Sequence, residues 1–286
     1  MAWRWCNTCA LRRTTVDFTF PASLSSAVAE QLAAACAVLE RHLGDTLQAV
    51  HLYGSATVGG LKPASDLDLL VTVSAPLPEP LRRTLMSALL AVSAPPGGPV
   101  RALEVTVVAK VDVRPWHYPP RRELQFGEWL RDQVLAGQIE PAQLDPDLAI
   151  LLTKARQHSF CLLGVAAAAW FEPVPKADLA QAFADTLAQW QTPDDWRGDE
   201  LTVVLALARI WYSMETGAIA PKDVAATWVL ERLPPEQQAV LRQARDAYLG
   251  HVENSLADDL EQVSAFVYHC KAQIERSTSN PDNSTP

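Results

Sequence analysis

Nowhere among the 286 residues is there an apolar run near the ~20 positions that a membrane-spanning helix needs, although 49% of the chain is hydrophobic. Cysteine is scarce: five, an odd number and scattered, which excludes a disulfide framework. Cys6 and Cys9 form a lone C-x-x-C with no second pair to complete a zinc site, and Cys36, Cys161 and Cys270 sit among apolar residues as core packing. Positive charge is also short. Lysine and arginine number 24 against 33 acids, a net charge of −9. That balance excludes nucleic acid as the main partner, because binding phosphates needs a basic surface. It suits a cationic small molecule. Arg4, Arg12 and Arg13 lead into no apolar core, so no secretion signal is read, and the chain is expected to be cytoplasmic and free of the membrane.

What is present changes character once along the chain. Residues 1–21 form an irregular leader ending at Pro21, and residues 277–286 have the polar, proline-containing composition of disorder. Ser23 to Leu43 reads as a helix, with Leu24, Val28, Leu32, Cys36 and Leu39 on one face. Three β-branched stretches follow, at 47–53, 68–73 and 103–109, with a helix over 79–92 between the second and third. APPGGP at 94–99 is a turn. After Pro141 the strands are expected to stop, and helices are predicted at 147–158, 176–190, 199–216, 221–233, 235–249 and 253–275. The fold class is therefore α+β: a domain over residues 22–150 with a small mixed β-sheet flanked by helices, then an all-helical domain over 151–276.

The chemistry gathers in the first domain. Gly54-Ser55 follows the first strand and Asp66-Leu67-Asp68 opens the second, giving G-S-x10-D-x-D. Alternate strand residues share a face, so Asp66 and Asp68 point one way while Leu67 and Leu69 enter the core. Two carboxylates held close repel each other, and a divalent cation relieves the cost. Mg²⁺ commonly takes one or two carboxylates together with substrate phosphates. Gly54 permits close backbone approach and Ser55 can donate to a phosphate oxygen. Glu104, in the third strand, faces either the site or solvent by alternation alone. Beside G-S…D-x-D the site is favoured, with antiparallel pairing to the second strand expected. This constellation resembles the DNA polymerase β-like nucleotidyltransferases, in which two metals clamp a triphosphate for in-line displacement.

A closer resemblance runs through HLYGSATVGGLKPASDLDLLVTV (51–73), RALEVTVV (101–108), RELQFGEWLRDQVLAGQIEPA (122–142), DLAILLTKARQHS (147–159), DDWRGDELTVVLALARIWYS (194–213) and TGAIAPKDVAATWVLERLP (216–234). These segments are similar to the aminoglycoside 3''-adenylyltransferases that modify streptomycin and spectinomycin, and the likeness spans about residues 22–276. The resemblance implies a two-domain enzyme that binds ATP and Mg²⁺ between its domains and adenylylates the streptomycin 3''-hydroxyl and the spectinomycin 9-hydroxyl; a monomer is expected. It implies that Asp66 and Asp68 hold the metal, that Glu104 takes the proton from the drug, and that Ser55, Ser65, Asp147, Lys222 and Tyr248 bind the nucleotide. Trp129, Trp190, Asp195 and Asp199 would form the drug site. Family members carry Asn or His three residues after Asp199; this chain has Thr202, which removes the side chain expected there.

Each of these residues also has a plainer reading. Ser65 can cap a turn and Asp147 a helix, Tyr248 can be core packing, and Lys222 a surface lysine. Asp194 and Asp195 can simply start a helix while Trp190 packs inside. His51 reads as structural, and His158 as the end of a helix. Two rival functions stand beside the main one: a nucleotidyltransferase acting on another hydroxyl acceptor, and a catalytically dead binding protein. The four drug-site residues argue against the first, and the intact Asp66, Asp68 and Glu104 against the second.

Overall fold

A computed structural model describes residues 17–279, so the C-x-x-C at Cys6 and Cys9, most of the leader and the end of the tail lie outside the described residues. Helix α1 (Ser26–Leu43) begins where the Ser25 hydroxyl accepts from the Val28 amide, and it buries Leu32, Cys36 and Leu39 as their spacing predicts. Strands β1 (Leu47–Tyr53) and β2 (Leu67–Val73) are followed by α2 (Glu79–Leu90) and β3 (Leu103–Ala109). Short pieces come next: β4 (Arg121–Arg122), β5 (Leu124–Phe126), α3 (Arg131–Leu135) and β6 (Gln143–Leu144). Then α4 (Asp147–Gln157) leads to β7 (Phe160–Leu163) and α5 (Ala167–Trp170). The remainder is helical: α6 (Lys176–Ala188), α7 (Glu200–Thr216), α8 (Lys222–Leu230), α9 (Pro235–Leu249) and α10 (Leu260–Ser279).

Three expectations are corrected. First, β2 and β3 pair in parallel, not antiparallel. Helix α2 carries the chain back across the sheet, so β3 enters from the same end as β2, as a strand–helix–strand unit requires. Second, strands do not stop at Pro141. After α4 the chain returns to the sheet as β7, antiparallel to β1, giving the five-strand order β5-β3-β2-β1-β7. Without β7, the buried strand β1 would present an open edge. Third, the last helix starts at Leu260 rather than 253, where Asp259 accepts from the Gln262 amide at 3.1 Å.

Alternation along the strands sorts the two faces of this sheet. Val50, Leu52, Leu67, Leu69, Leu103 and Val105 join α1 and α2 in the larger core. On the opposite face, Tyr53, Leu70 and Val108 meet Leu148, Leu152 and Ala155 of α4. A separate core, running from Phe183 to Ile274, holds the helical part together. Two hydrogen bonds tie α6 to the loop after β3: the Trp116 indole donates to Asp178 at 2.7 Å and the Tyr118 hydroxyl to Asp185 at 2.6 Å. Among the described residues no helix is long and apolar enough to cross a membrane.

Candidate active site

The site begins at the end of β1. Gly54 turns the chain with φ +70°, a conformation that side chains disfavour. A Cβ placed there would lie 2.0 Å from Asp68 Oδ2. Glycine is therefore needed twice, for the turn and for the carboxylate beside it. The loop leading to Asp66 is pinned from β3's side: the Arg101 guanidinium donates to the carbonyls of Lys62 at 2.9 Å and Ser65 at 2.8 Å. Ser65 does cap its turn, accepting from the Lys62 amide at 2.9 Å. It also bonds to the Tyr248 hydroxyl from the helical half.

In-register pairing sets Tyr53 beside Asp68 and Asp68 beside Glu104, with neighbouring strands about 4.8 Å apart. Asp66 lies just before β2 on the same approach. Burial first, and then the Glu104 charge, push the Asp68 carboxyl up to about 7. Burial also raises Asp66 and Glu104. Among the described residues no three acidic, histidine or cysteine side chains converge closely enough to cage a metal unaided. The donor set instead fits a divalent cation that shares its coordination with phosphate oxygens, since a cation would relieve the repulsion that now raises Asp68.

Facing these acids are three cations, and sequence reading had singled out only Lys222. Lys154 projects from α4 with Nζ 5.4 Å above the Tyr53 ring, and burial pushes its ammonium down to about 8. Arg209 of α7 is depressed by burial, and its Nε has no hydrogen-bond partner. Lys222, at the start of α8, lies 5.4 Å from the Tyr248 ring and is likewise lowered by burial. A signal for the two others was present, since each is a lone charge on an apolar helical face, in LLTKA and VLALARIW. Such a charge costs free energy unless it has a partner. Three recessed cations opposite three recessed acids suit a polyanion accompanied by a metal.

Beside Glu104 opens a cavity of about 420 Å³. It is lined by the buried Tyr53, by Glu104 and Lys154, and by Trp129, Asp147, Trp190 and Thr202. Trp129 is 59% exposed. Its ring packs so closely against Gly127 that a Cβ there would meet a ring carbon at 2.1 Å. Asp147 stands on this wall, accepting from the Thr186 hydroxyl at 2.7 Å, while Asp145 rather than Asp147 receives the first amide of α4. Asp195 and Asp199 are not on the cavity wall. Asp195 Oδ2 accepts from the amides of Gln191 at 2.8 Å and Thr192 at 2.7 Å in a capping box. Asp199 is exposed at the N-cap of α7, making no side-chain cap bond. Ser55 sits in the Gly54–Ala56 turn beside Asp68. His51 is buried and bonds the Val165 carbonyl at 2.8 Å, a structural role.

Residues 169–273 match the family model described as the C-terminal domain of aminoglycoside adenylyltransferase. Over 251 residues the chain is 56% identical to an aminoglycoside (3'') (9) adenylyltransferase of Escherichia coli, covering 87% of this chain and 95% of the relative. It is 50% identical over 257 residues to the enzyme of that name from Rhizobium radiobacter, covering 89% and 96%. It is 41% identical to a spectinomycin 9-adenylyltransferase of Staphylococcus aureus, covering 82% and 90%. The crystal structure of a spectinomycin adenyltransferase from Enterococcus faecialis with ATP and spectinomycin aligns at a TM-score of 0.80 and 29% identity, covering 86% of this chain and 99% of that one.

Proposed function

The chain belongs to the aminoglycoside (3'') (9) adenylyltransferase family, and from that premise we propose that it transfers AMP from ATP to the 3''-hydroxyl of streptomycin and the 9-hydroxyl of spectinomycin, conferring resistance. The drug oxygen attacks the α-phosphorus, the bond to pyrophosphate breaks, and the hydroxyl proton passes to Glu104. The observation that carries this reading is the pairing of Asp68 with Glu104, which lines a cavity walled by residues of both halves. Asp66 and Asp68 would hold Mg²⁺, which supplies charge neutralisation at the phosphates and the leaving oxygen. Ser55, Ser65, Lys222 and Tyr248 hold the nucleotide, with Arg209 and Lys154 balancing its charge. Asp147 borders nucleotide and drug alike. All these residues come from one chain, so a single cytoplasmic copy suffices.

Incubating the protein with ATP, Mg²⁺ and a panel of aminoglycosides should yield pyrophosphate and a mass gain of one AMP on streptomycin and spectinomycin. Turnover with neither drug, but with another hydroxyl compound, would move the chain to a different acceptor.

Drug discrimination follows from shape. Streptomycin is long and carries two guanidinium groups, whereas spectinomycin is a compact fused-ring amine. A guanidinium stacks on an indole and pairs with a carboxylate. Trp190→Ala and Asp195→Ala are expected to lower kcat/KM for streptomycin by roughly ten-fold or more, a stacking or paired-bond loss, and to leave spectinomycin nearly unchanged. Asp199 is assigned to the part that both drugs share. Because Asp195 also closes a capping box, its substitution disturbs the loop as well, and Trp190→Ala is the cleaner test. Equal losses for both drugs in Asp195→Ala would mean that Asp195 acts only through the loop it holds.

A further inference from the structure

Gln125, in β5, is the neighbour of Thr106 across the sheet and lines the same cavity as Glu104. Its amide nitrogen donates to Glu104 Oε1 at 3.3 Å. Its amide oxygen accepts from the Thr106 hydroxyl at 2.8 Å and from the Arg122 guanidinium at 3.4 Å. The longer two are at the far end of hydrogen-bond range, as contacts in an unliganded active site often are. This arrangement has one sense only. A guanidinium can donate but not accept, and a carboxylate can accept but not donate. Flipping the amide would set an N–H against Arg122 and an oxygen against Glu104. Thr106 spends its one proton on Gln125. Arg122 is itself held, 3.2 Å from Asp145 and 3.5 Å from Glu140. A directed chain thus runs from a fixed cation and the Thr106 hydroxyl, through one amide, to one oxygen of Glu104.

We propose that Gln125 is a positioning residue for the transfer reaction: by occupying Oε1 it fixes the Glu104 carboxylate and leaves Oε2 as the atom that receives the drug's proton. This inference rests on Glu104 being the base. In this role Gln125 acts through the carboxylate. Arg122 and Thr106 keep its amide in the working sense.

The test uses the full-length protein, ATP, Mg²⁺ and spectinomycin, with Gln125→Met made in the native chain and in a Glu104→Gln chain. Methionine keeps the length and removes both amide contacts. In the native chain kcat should fall about ten-fold, the loss of one hydrogen bond to a charged group, while KM for spectinomycin and Mg-ATP affinity from calorimetry stay unchanged. In the Glu104→Gln chain the same substitution should lower the residual rate by less than about two-fold, because residues acting through one another are not additive. Equal proportional losses in both backgrounds, or an unchanged kcat in the native chain, would overturn the proposal. If Gln125→Met destabilises the fold, Thr106→Val removes one of the two anchors. It should reproduce the same pattern with a smaller fall in kcat, and equal losses in both backgrounds would again overturn it. Near-normal turnover by Glu104→Gln alone would instead overturn the base assignment and this inference with it. If that variant is inactive but Gln125→Met is harmless, only the inference fails.

Discussion

Asp68→Asn should abolish AMP transfer while leaving the fold at least as stable as before. Asp68 is held beside Glu104 by the parallel register, and burial together with that neighbour pushes it up to about 7. Without metal its charge is therefore a cost to the fold, and asparagine removes that cost. With metal the same charge is what binds. Losing it should reduce kcat by about 10³-fold or more, the rate equivalent of the several kcal/mol of charge stabilisation that a metal supplies. The two measurements should move in opposite directions: turnover collapses, and the thermal midpoint of the unliganded protein does not fall. The stabilisation that Mg-ATP gives the native protein should disappear. A variant with ordinary turnover would remove Asp68 from the metal site. Gly54→Ala should copy this loss without altering any ligand, since its Cβ would lie 2.0 Å from Asp68 Oδ2 in a backbone conformation that alanine resists.

The second large effect belongs to Glu104. Glu104→Gln keeps the size of the side chain and removes the proton acceptor, so the protein should fold, bind Mg-ATP and drug, and lose about 10²–10⁴-fold in kcat, the usual contribution of a general base. Single-turnover assays with calorimetry in parallel separate the possible roles. If metal affinity falls as steeply as the rate, Glu104 is a ligand; if the rate falls only a few-fold, it is a bystander.

Much of this site was legible before any coordinates. Asp66 and Asp68 are singled out because strand alternation puts them on one face. Gly54, Ser55 and Glu104 are picked out instead by the G-S…D-x-D pattern around them, since alternation alone leaves Glu104 free to face either way. Alternation does not say which strand lies beside which, nor in which direction. Hence the parallel pairing of β2 and β3 escaped, although the helix between them was the clue. The short strand β7 escaped because four residues after a helix carry too little pattern to declare a sheet edge. Lys154 and Arg209 were hidden in apolar helices, where a reading that seeks core residues passes over the exception. The capping role of Asp195 was visible as Thr192-Pro-Asp-Asp195, a helix-start pattern. Its absence from the cavity wall was not, because that depends on how α6 and α7 meet.

The chemistry and the acceptor pocket draw on different parts of the chain, and selection meets them differently. On the proposed reading, a change at Gly54, Asp68 or Glu104 would strike the reaction itself and so act on every drug together. A change at Thr202 or Trp190 would instead alter the lining of the cavity, although Trp190 also packs against the helical core. Variation under antibiotic pressure can therefore accumulate on the helical side one residue at a time, trading one acceptor for another while the reaction stays intact. A medicinal chemist who seeks to evade such an enzyme gains little by bulk placed against the helices, which can yield. Bulk directed toward Tyr53 and Glu104, which line the same cavity, would on that reading meet side chains that the reaction needs.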